Sequence, residues 1–343
     1  EVEAYGADFL VLEVNESALA KGFLKDVPFD VRVLTNLNSK HNLEHYTEEK
    51  YVELKKSFFM DIDDECKCIF GFQDYNKELL DDLLQLNNYP KFVCSSNYIA
   101  TLKGLEKDKV TCLLTGLVTD MYGMKMQFDM NEKTYKIDTN LMMSYNALTT
   151  LESLGILDIV KFNKSLDKFV IPGRAETFRI KDRLIVIDTH LPAMLDCLKV
   201  LKEQGKVNKI KVVVGSTGYG YKYWEERFKT EDFANQRKEY RQYAMNLFKG
   251  VVDYVYLTES DNGKENVMDI CSELQNYLDK NIKSTIIVER EKAIKQAILD
   301  SQEGDVVFIS GRGNRRVLCD SETTMKLLKD SDVVENVIKE LGW

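Results

Sequence analysis

The sequence predicts a two-domain α/β protein, and three observations support that expectation. The chain has 343 residues, which is enough for two domains of ordinary size. Hydrophobic residues make up 44% of it and charged residues 30%, as in a globular protein that buries a core. In the C-terminal half, short β-branched runs alternate with helical stretches. That alternation is typical of a parallel sheet covered on both faces.

The N-terminal half has a mixed pattern of short apolar runs and helical periodicity. Its predicted buried strands lie at 9–14, 31–34, 68–72 and 92–94, with antiparallel strands over 110–138. Its predicted helices lie at 47–60 and 141–156. Ile171-Pro172-Gly173 interrupts the pattern, so the domain boundary is placed there, which gives domains 1–171 and 172–343.

The C-terminal half is predicted to contain five strands, each followed by a helix. The strands are expected at 184–187, 210–214, 252–257, 285–288 and 305–309. The helices are expected at 193–204, 231–248, 264–280, 290–301 and 322–340. Right-handed crossovers between parallel strands make this half a Rossmann-like domain.

Composition argues against several classes of protein. There are 47 basic and 56 acidic residues, a net charge of −9, so nucleic-acid binding is not expected. No apolar run approaches the length of a membrane-spanning helix, which is about 18 residues or more. Seven cysteines at irregular spacing indicate free thiols in a reducing compartment, so a cytoplasmic protein is predicted.

Lys55 is the most informative single residue for function. On a helix that includes Tyr51, Leu54 and Phe58, Lys55 falls inside the apolar arc rather than opposite it. An ammonium group buried there is costly unless it is paired or modified. The alternative is a lysine at the edge of the apolar face that extends its charge to solvent.

Glu13 lies at the end of the predicted strand 9–14, and His41 lies just beyond the predicted strand 31–34. Ligands gather at strand ends in α/β sheets. Glu13 and His41 could bind a divalent metal, although an ordinary hydrogen-bonded pair fits as well. Gly215–Gly220 follows another strand and could hold an anion or form a plain turn. No G-x-x-x-x-G-K-[ST] occurs in the chain, so no Walker-type phosphate loop is present.

Short motifs follow one another along nearly the whole chain. They are Glu13-Val14-Asn15-Glu16-Ser17-Ala18-Leu19, Thr35-Asn36-Leu37 with His41–Tyr46, Tyr51–Lys55, Tyr145-Asn146-Ala147-Leu148, Pro172-Gly173-Arg174, Asp188-Thr189-His190-Leu191-Pro192, Ser260–Lys264, and Gly304–Val307 with Gly311-Arg312-Gly313. Their order resembles the Mur ligase family of ATP-dependent amide-bond enzymes. The nearest branch is the one that adds the third residue of the peptidoglycan stem peptide.

The resemblance implies an incomplete central P-loop-type ATPase sheet domain followed by a Rossmann-like ligase domain. It implies ATP and Mg²⁺, with a UDP-muramyl peptide and an amino acid as small-molecule substrates. A separate or missing N-terminal segment would carry the phosphate loop, and the fragment alone is expected to be inactive.

The same resemblance implies residue roles. The metal ligands would be Glu13, His41 and Lys55, the last as a carbamate. Nucleotide contacts would come from Asn146, Arg174 and Asp188. Catalytic residues would be Lys55, Asp188 and His190. Substrate contacts would come from Asn15, Asp261, Asn262, Lys264, Gly311 and Arg315.

Departures from the family pattern concentrate at the positions that would hold the incoming amino acid. Gly220 and Lys264 stand where the diaminopimelate branch has arginine, and Arg315 stands where it has glutamate. These three positions are expected to surround one pocket. Arg315 would repel an ammonium group, so an acidic or small neutral acceptor, or none, is expected rather than diaminopimelate or lysine. Two alternatives stay open: a folylpolyglutamate or cyanophycin synthetase-like ligase, and an inactive binding module with the same fold.

Overall fold

The structure, a computed structural model, describes most of the chain. The described residues are 6–37, 47–60, 65–73, 75, 77–86, 91–120, 122–142, 144–160, 170–218, 233–319 and 325–343. The chain divides into two compact units. Unit 1 comprises residues 1–117, 125–137 and 145–165, and unit 2 comprises 118–124, 138–144 and 166–343. Within the described residues, no helix is long and apolar enough to cross a membrane.

Unit 1 is built on a six-stranded sheet in the described part of the chain. Its strands are β1 (Val31–Leu34), β2 (Lys67–Phe72), β3 (Lys91–Ser96), β4 (Cys112–Asp120), β5 (Gly123–Met130) and β6 (Lys133–Thr139), and they lie in that order across the sheet. Its helices are α1 (Glu16–Ala20), α2 (Glu48–Ser57), α3 (Lys77–Gln85), α4 (Asn97–Leu102) and α5 (Tyr145–Val160). Strands β1 to β4 pair in parallel, and apolar side chains on one face of the sheet, such as Phe70 and Val93, pack with Leu80 of α3.

The expected buried strand at 9–14 is not formed. Residues 9–15 have no strand assignment, and the side chains of Phe9, Leu10 and Val11 are exposed, Val11 by 92%. An apolar run becomes a strand only when a neighbouring strand satisfies its backbone groups, and the described residues of unit 1 place none beside this segment. The run of apolar residues therefore gave the wrong secondary structure here.

Unit 2 holds the second sheet. Its strands are β7 (Glu176–Ile180), β8 (Arg183–Asp188), β9 (Ile210–Val214), β10 (Tyr254–Leu257), β11 (Lys283–Ile286) and β12 (Val306–Ser310), in the order β11-β10-β9-β12-β8-β7. Its helices are α6 (Leu191–Glu203), α7 (Phe233–Asn246), α8 (Val267–Tyr277), α9 (Arg290–Leu299) and α10 (Asp330–Glu340). Strands β8 to β12 are parallel, as expected.

Successive residues of these strands enter two different cores. Val212 and Phe308 pack with the α6 to α8 side, whereas Val213 and Ile309 pack with the α9 and α10 side. Because both faces of the sheet are covered, its central strands consist largely of apolar residues, as in β12. The predicted Rossmann-like character of this half is confirmed.

Two details of the C-terminal half were predicted wrongly. The sheet has a sixth strand, β7, which pairs antiparallel with β8 through the tight turn at Lys181-Asp182. The last helix begins at Asp330 instead of residue 322, because β13 (Val317–Cys319) and β14 (Met325–Leu327) form a two-stranded ribbon before it. Both errors concern strands of only three to five residues, whose pattern is too short to distinguish from loops.

Candidate functional site

Lys55 lies in the last turn of α2, a helix that Thr47 begins by accepting a hydrogen bond from the backbone N–H of Lys50. The Lys55 ammonium is half-buried and donates to the backbone carbonyl of Val14 at 3.0 Å. Burial lowers the pKa of Lys55, and the nearby carboxylates of Glu16 and Glu13 oppose that effect. Two predicted metal ligands, Glu13 and Lys55, therefore lie near one another.

Two of the three residues predicted to bind magnesium, Glu13 and Lys55, lie within the described part of the chain. Glu13 is exposed and offers a hard oxygen ligand of the kind that Mg²⁺ prefers. Lys55 as a free amine offers no oxygen, and His41 lies outside the described residues. Among the residues that the structure does describe, no three His, Cys, Asp or Glu side chains gather as a metal site.

Asn15 and Asn146 lie at helix starts in unit 1. The side-chain oxygen of Asn15 caps α1 by accepting from the backbone N–H of Ala18 at 2.9 Å, so its amide N–H₂ is the part left for a substrate. Asn146 is half-buried in the first turn of α5.

Asp188 is the last residue of β8 and is fully buried. Its carboxylate accepts hydrogen bonds from the backbone N–H groups of Ala175 at 2.9 Å and His190 at 2.6 Å. Burial raises the pKa of Asp188, while these two hydrogen bonds and the charge of Arg174 oppose the rise. Asp188 thus fixes the geometry of the strand end in unit 2.

Arg174 extends from the turn that Asp188 holds. Its guanidinium is exposed and donates to the hydroxyl of Thr189, next to the end of β8. His190 is the residue before α6 and is half-buried. The structure therefore places three predicted residues, Arg174, Asp188 and His190, around one strand end.

The turn at Pro172-Gly173 packs directly on the loop after β12. Gly173 has a φ of +70°, and a Cβ there would lie 2.1 Å from the backbone nitrogen of Asn314. Only glycine meets both demands. The backbone N–H of Gly311 also donates to the carbonyl of Asp188 at 3.1 Å. These contacts join the predicted nucleotide residues to a predicted substrate residue.

Asp261 is the centre of the second cluster of predicted residues in unit 2. One carboxylate oxygen accepts from the guanidinium of Arg312 at 2.9 Å and from the backbone N–H of Cys319 at 3.0 Å. The other accepts from Arg315 at 2.7 Å. Asn262 is buried and donates its backbone N–H to the carbonyl of Cys319. Lys264 follows, with its side chain exposed.

The two arginines on Asp261 differ in their exposure. The Arg312 side chain is 0% exposed, and it also donates to the carbonyls of Val317 and Leu328. Burial lowers the pKa of Arg312, and Asp261 opposes that change. The Arg315 side chain is 49% exposed and keeps further N–H donors directed to solvent. Arg315 is thus a fixed but accessible cation. Gly220, the third position expected beside Lys264 and Arg315, lies outside the described residues.

Sequence reasoning missed two buried arginines near these loops. Arg241 of α7 is bonded to Glu265 and Glu273, and Arg290 at the start of α9 forms a fully buried two-pronged pair with Asp330. Arg241 precedes the buried residues Ala244, Met245 and Phe248 at helical spacing. Arg241, like Lys55, is a cation on the apolar face of a helix, so helical periodicity in the sequence is the signal that indicates its burial.

Comparison with known families assigns both parts of the chain. Residues 1–157 match the profile described as "Mur ligase middle domain", and residues 173–313 match "Mur ligase, glutamate ligase domain". The chain belongs to the Mur ligase family. The resemblance carried by the short motifs is therefore confirmed. Lys264, which departs from the family pattern, lies inside a matched range, and Arg315 lies just beyond it.

Curated relatives of this Mur ligase chain are about one quarter identical to it. The UDP-N-acetylmuramoyl-L-alanyl-D-glutamate--2,6-diaminopimelate ligase of Geobacillus kaustophilus is 25% identical over 350 residues, 98% of this chain and 66% of the relative. The corresponding ligase of Aquifex aeolicus is 24% identical over 90% of this chain and 59% of the relative. The UDP-N-acetylmuramyl-tripeptide synthetase of Ligilactobacillus salivarius is 24% identical over 98% and 66%. The chain thus spans about three fifths to two thirds of their length.

Solved structures agree on the fold. A structure of a UDP-N-acetylmuramoyl-L-alanyl-D-glutamate--2,6-diaminopimelate ligase superposes with a TM-score of 0.63 at 20% identity, covering 99% of this chain and 66% of that one. The MurF ligase from Thermotoga maritima in complex with ADP gives 0.58 at 18% identity, covering 93% and 64%. At such identities the likeness shows a shared Mur ligase fold.

Proposed function

We propose that the complete protein is an ATP-dependent acid–amino-acid ligase that extends a UDP-muramyl peptide or a related acidic precursor. The observation that carries the proposal is the strand end at Asp188, where a buried carboxylate fixes a turn that presents the exposed Arg174. A planar guanidinium at such a place suits a phosphate group. Family membership and the names of the relatives support the same reaction.

The reaction proceeds in two steps. A carboxylate oxygen of the precursor attacks the γ-phosphorus of ATP, which gives an acyl phosphate and ADP. The amine of the acceptor then attacks the acyl carbon, loses a proton, and expels phosphate with the former carboxylate oxygen. In this proposal Arg174 holds phosphate oxygens, and Asp188 holds the turn from which Arg174 extends.

Unit 1 would supply the metal site and a further nucleotide contact, from Asn146. Glu13, His41 and a carbamoylated Lys55 would hold Mg²⁺, whose role is to neutralise charge on the transferred phosphate. Carbamoylation replaces the ammonium by an anion and so provides the oxygen that the free amine lacks. The partial burial of Lys55 and its place beside Glu13 are the observations that support this assignment.

The acceptor would bind at the loops that carry Asp261, Asn262, Lys264, Gly311 and Arg315. Both exposed side chains in this group, Lys264 and Arg315, are cations. Asp261 neutralises part of the charge of Arg315 but is itself bonded to Arg312 as well. An acidic or small neutral amino acid therefore fits better than an acceptor with a second ammonium group.

The test is an ADP-release assay with the complete protein, ATP, UDP-muramyl dipeptide and a panel of amino acids. Activity that requires both precursor and amino acid supports the ligase. The Arg174→Lys variant should raise the KM for ATP about tenfold or more, because a lysine cannot grip two phosphate oxygens. Arg179→Lys is the matched control, since Arg179 lies in β7, paired with Leu184 near the opposite end of β8. ATP turnover that needs no amino acid would contradict the ligase. No turnover with any precursor would also contradict it and would favour a binding module.

A further inference from the structure

Arg241 is a buried arginine whose hydrogen bonds are all made inside unit 2. Its side chain is 0% exposed. Nε donates to the hydroxyl of Ser216 at 3.1 Å, and Nη2 donates to the carbonyl of Thr217 at 3.2 Å. The remaining N–H groups donate to Glu265 at 3.0 and 2.6 Å and to Glu273 at 2.7 Å. All five donors of the guanidinium are therefore used.

These partners belong to two separate loops and one helix. Ser216 and Thr217 follow β9, Glu265 lies in the loop that joins β10 to α8, and Glu273 lies within α8. A single side chain on α7 thus holds the loop after β9 against the loop that contains Asp261, Asn262 and Lys264. A lysine in its place could make three bonds from one nitrogen but could not span both loops.

The two loops also touch through their backbones. The N–H of Gly218 donates to the carbonyl of Asp261 at 2.8 Å. A Cβ on Gly218 would lie 1.8 Å from the carbonyl oxygen of Asn262, so only glycine lets the backbones of the two loops approach this closely. A shift of either loop would therefore move Asp261 and Asn262, and with Asp261 the guanidinium of Arg315.

The charge balance makes this arrangement sensitive to Arg241. Glu265 and Glu273 share one guanidinium, and their side chains are only 14% and 20% exposed. Without Arg241, two poorly solvated carboxylates would face one another and move apart. Because Glu265 directly follows Lys264 in the chain, that movement would pass into the loop that we assign to the acceptor.

We infer that Arg241 is a positioning residue for the acceptor site. It holds the 215–218 and 258–266 loops in a fixed position relative to one another, and so determines where Asp261 and Arg315 lie. The inference rests on the proposed ligase function, because that function assigns the acceptor to these loops. Arg241 itself is buried and touches no substrate. Its loss should therefore alter acceptor binding while leaving nucleotide binding unchanged.

The experiment compares Arg241→Lys and Arg241→Gln with Arg183→Gln, an arginine at the start of β8, the other end of the sheet. In the complete protein, both Arg241 variants should raise the KM for the amino acid about tenfold or more, with the KM for ATP within about twofold of wild type. Equal increases in both constants, or an increase no larger than that of Arg183→Gln, would overturn the inference.

Hydrogen exchange of the isolated variants tests the loop arrangement without any ligase activity. The amide of Gly218 should exchange about tenfold faster in Arg241→Gln, together with amides of the 258–266 loop, while α10 is unchanged. The double variant Arg241→Gln with Glu265→Gln lacks the repulsion between the two carboxylates, but it does not restore the hydrogen bonds of Arg241. The amide of Gly218 should therefore still exchange fast in the double variant. Wild-type exchange rates at both loops would refute the positioning role. An inactive wild-type protein with fast-exchanging variants would instead refute only the ligase function.

Discussion

The ion pairs of Asp261 allow a quantitative test of how burial affects their strength. One carboxylate oxygen bonds the buried Arg312, and the other bonds the exposed Arg315. Replacing Asp261 by alanine removes the charge partner of Arg312, whose side chain is 0% exposed, and also frees the backbone N–H of Cys319. Removing one partner of a buried ion pair costs about 3–5 kcal/mol of unfolding free energy. We expect a loss in that range for Asp261→Ala.

The matched control is Arg315→Gln, which breaks the other bond to the same carboxylate. The Arg315 side chain is 49% exposed, so its ion pair is screened by water, and we expect a loss below about 1 kcal/mol. Asp261→Asn keeps a carbonyl oxygen for Arg312 and removes only the charge. We expect its cost, on the order of 1–3 kcal/mol, to fall between the other two.

The assay is urea unfolding followed by circular dichroism, with the slope of the transition checked for each variant, since a changed slope signals loss of two-state behaviour. If Arg315→Gln loses as much unfolding free energy as Asp261→Ala, the reasoning is refuted. That result would show that the burial of Arg312 does not determine how much Asp261 contributes to stability. An Asp261→Ala variant as stable as wild type would do the same.

Three further outcomes are expected. Lys55→Ala should abolish ligation by the complete protein, and added bicarbonate should not restore it. The control Lys56→Ala loses only a surface ion pair with Asp82 at 2.6 Å and should stay active. Substantial activity in Lys55→Ala would exclude the carbamate. In the amino-acid panel, glutamate, aspartate or a small neutral amino acid should give the highest kcat/KM, and efficient turnover with diaminopimelate would show that the acceptor site was misjudged. Burial raises the pKa of Cys197 to about 11 and that of Cys271 to about 12, so the folded protein keeps thiol protons that the unfolded chain loses above about pH 9. Stability should therefore fall from pH 9 to 11, less steeply in Cys197→Ala, and a flat alkaline profile would count against these buried thiols.

Most of the fold was predictable because unit 2 repeats one strong signal. Strands such as Val306–Ser310 begin with four consecutive apolar residues, and helices with buried apolar side chains lie between the strands. The segment 9–14 is also rich in apolar residues, yet it forms no strand, and the side chains of Phe9, Leu10 and Val11 are exposed. Pattern alone cannot say whether a neighbouring strand is present to pair with an apolar run.

The grouping of candidate residues was predictable where a strand end and residues of suitable chemistry occur together in the sequence. The end of β8 brings Asp188, Arg174 and His190 together, and the approach of Gly173 to Asn314 explains why glycine is needed there. The pairing of Asp261 with Arg312 and Arg315 was not predictable, because it joins residues more than 50 positions apart. Arg315 was expected to repel an ammonium group, and the structure shows that the carboxylate of Asp261 is already bound to it.

The most direct test of the ligase assignment is the fate of the precursor's carboxylate oxygen. The complete protein would be given ATP, a suitable amino acid and UDP-muramyl dipeptide labelled with ¹⁸O in its reacting carboxylate, and the released phosphate would be analysed by mass spectrometry. Formation of an acyl phosphate predicts one labelled oxygen in each phosphate released, in step with amide product. Phosphate without label, or label release without amide, would contradict the account.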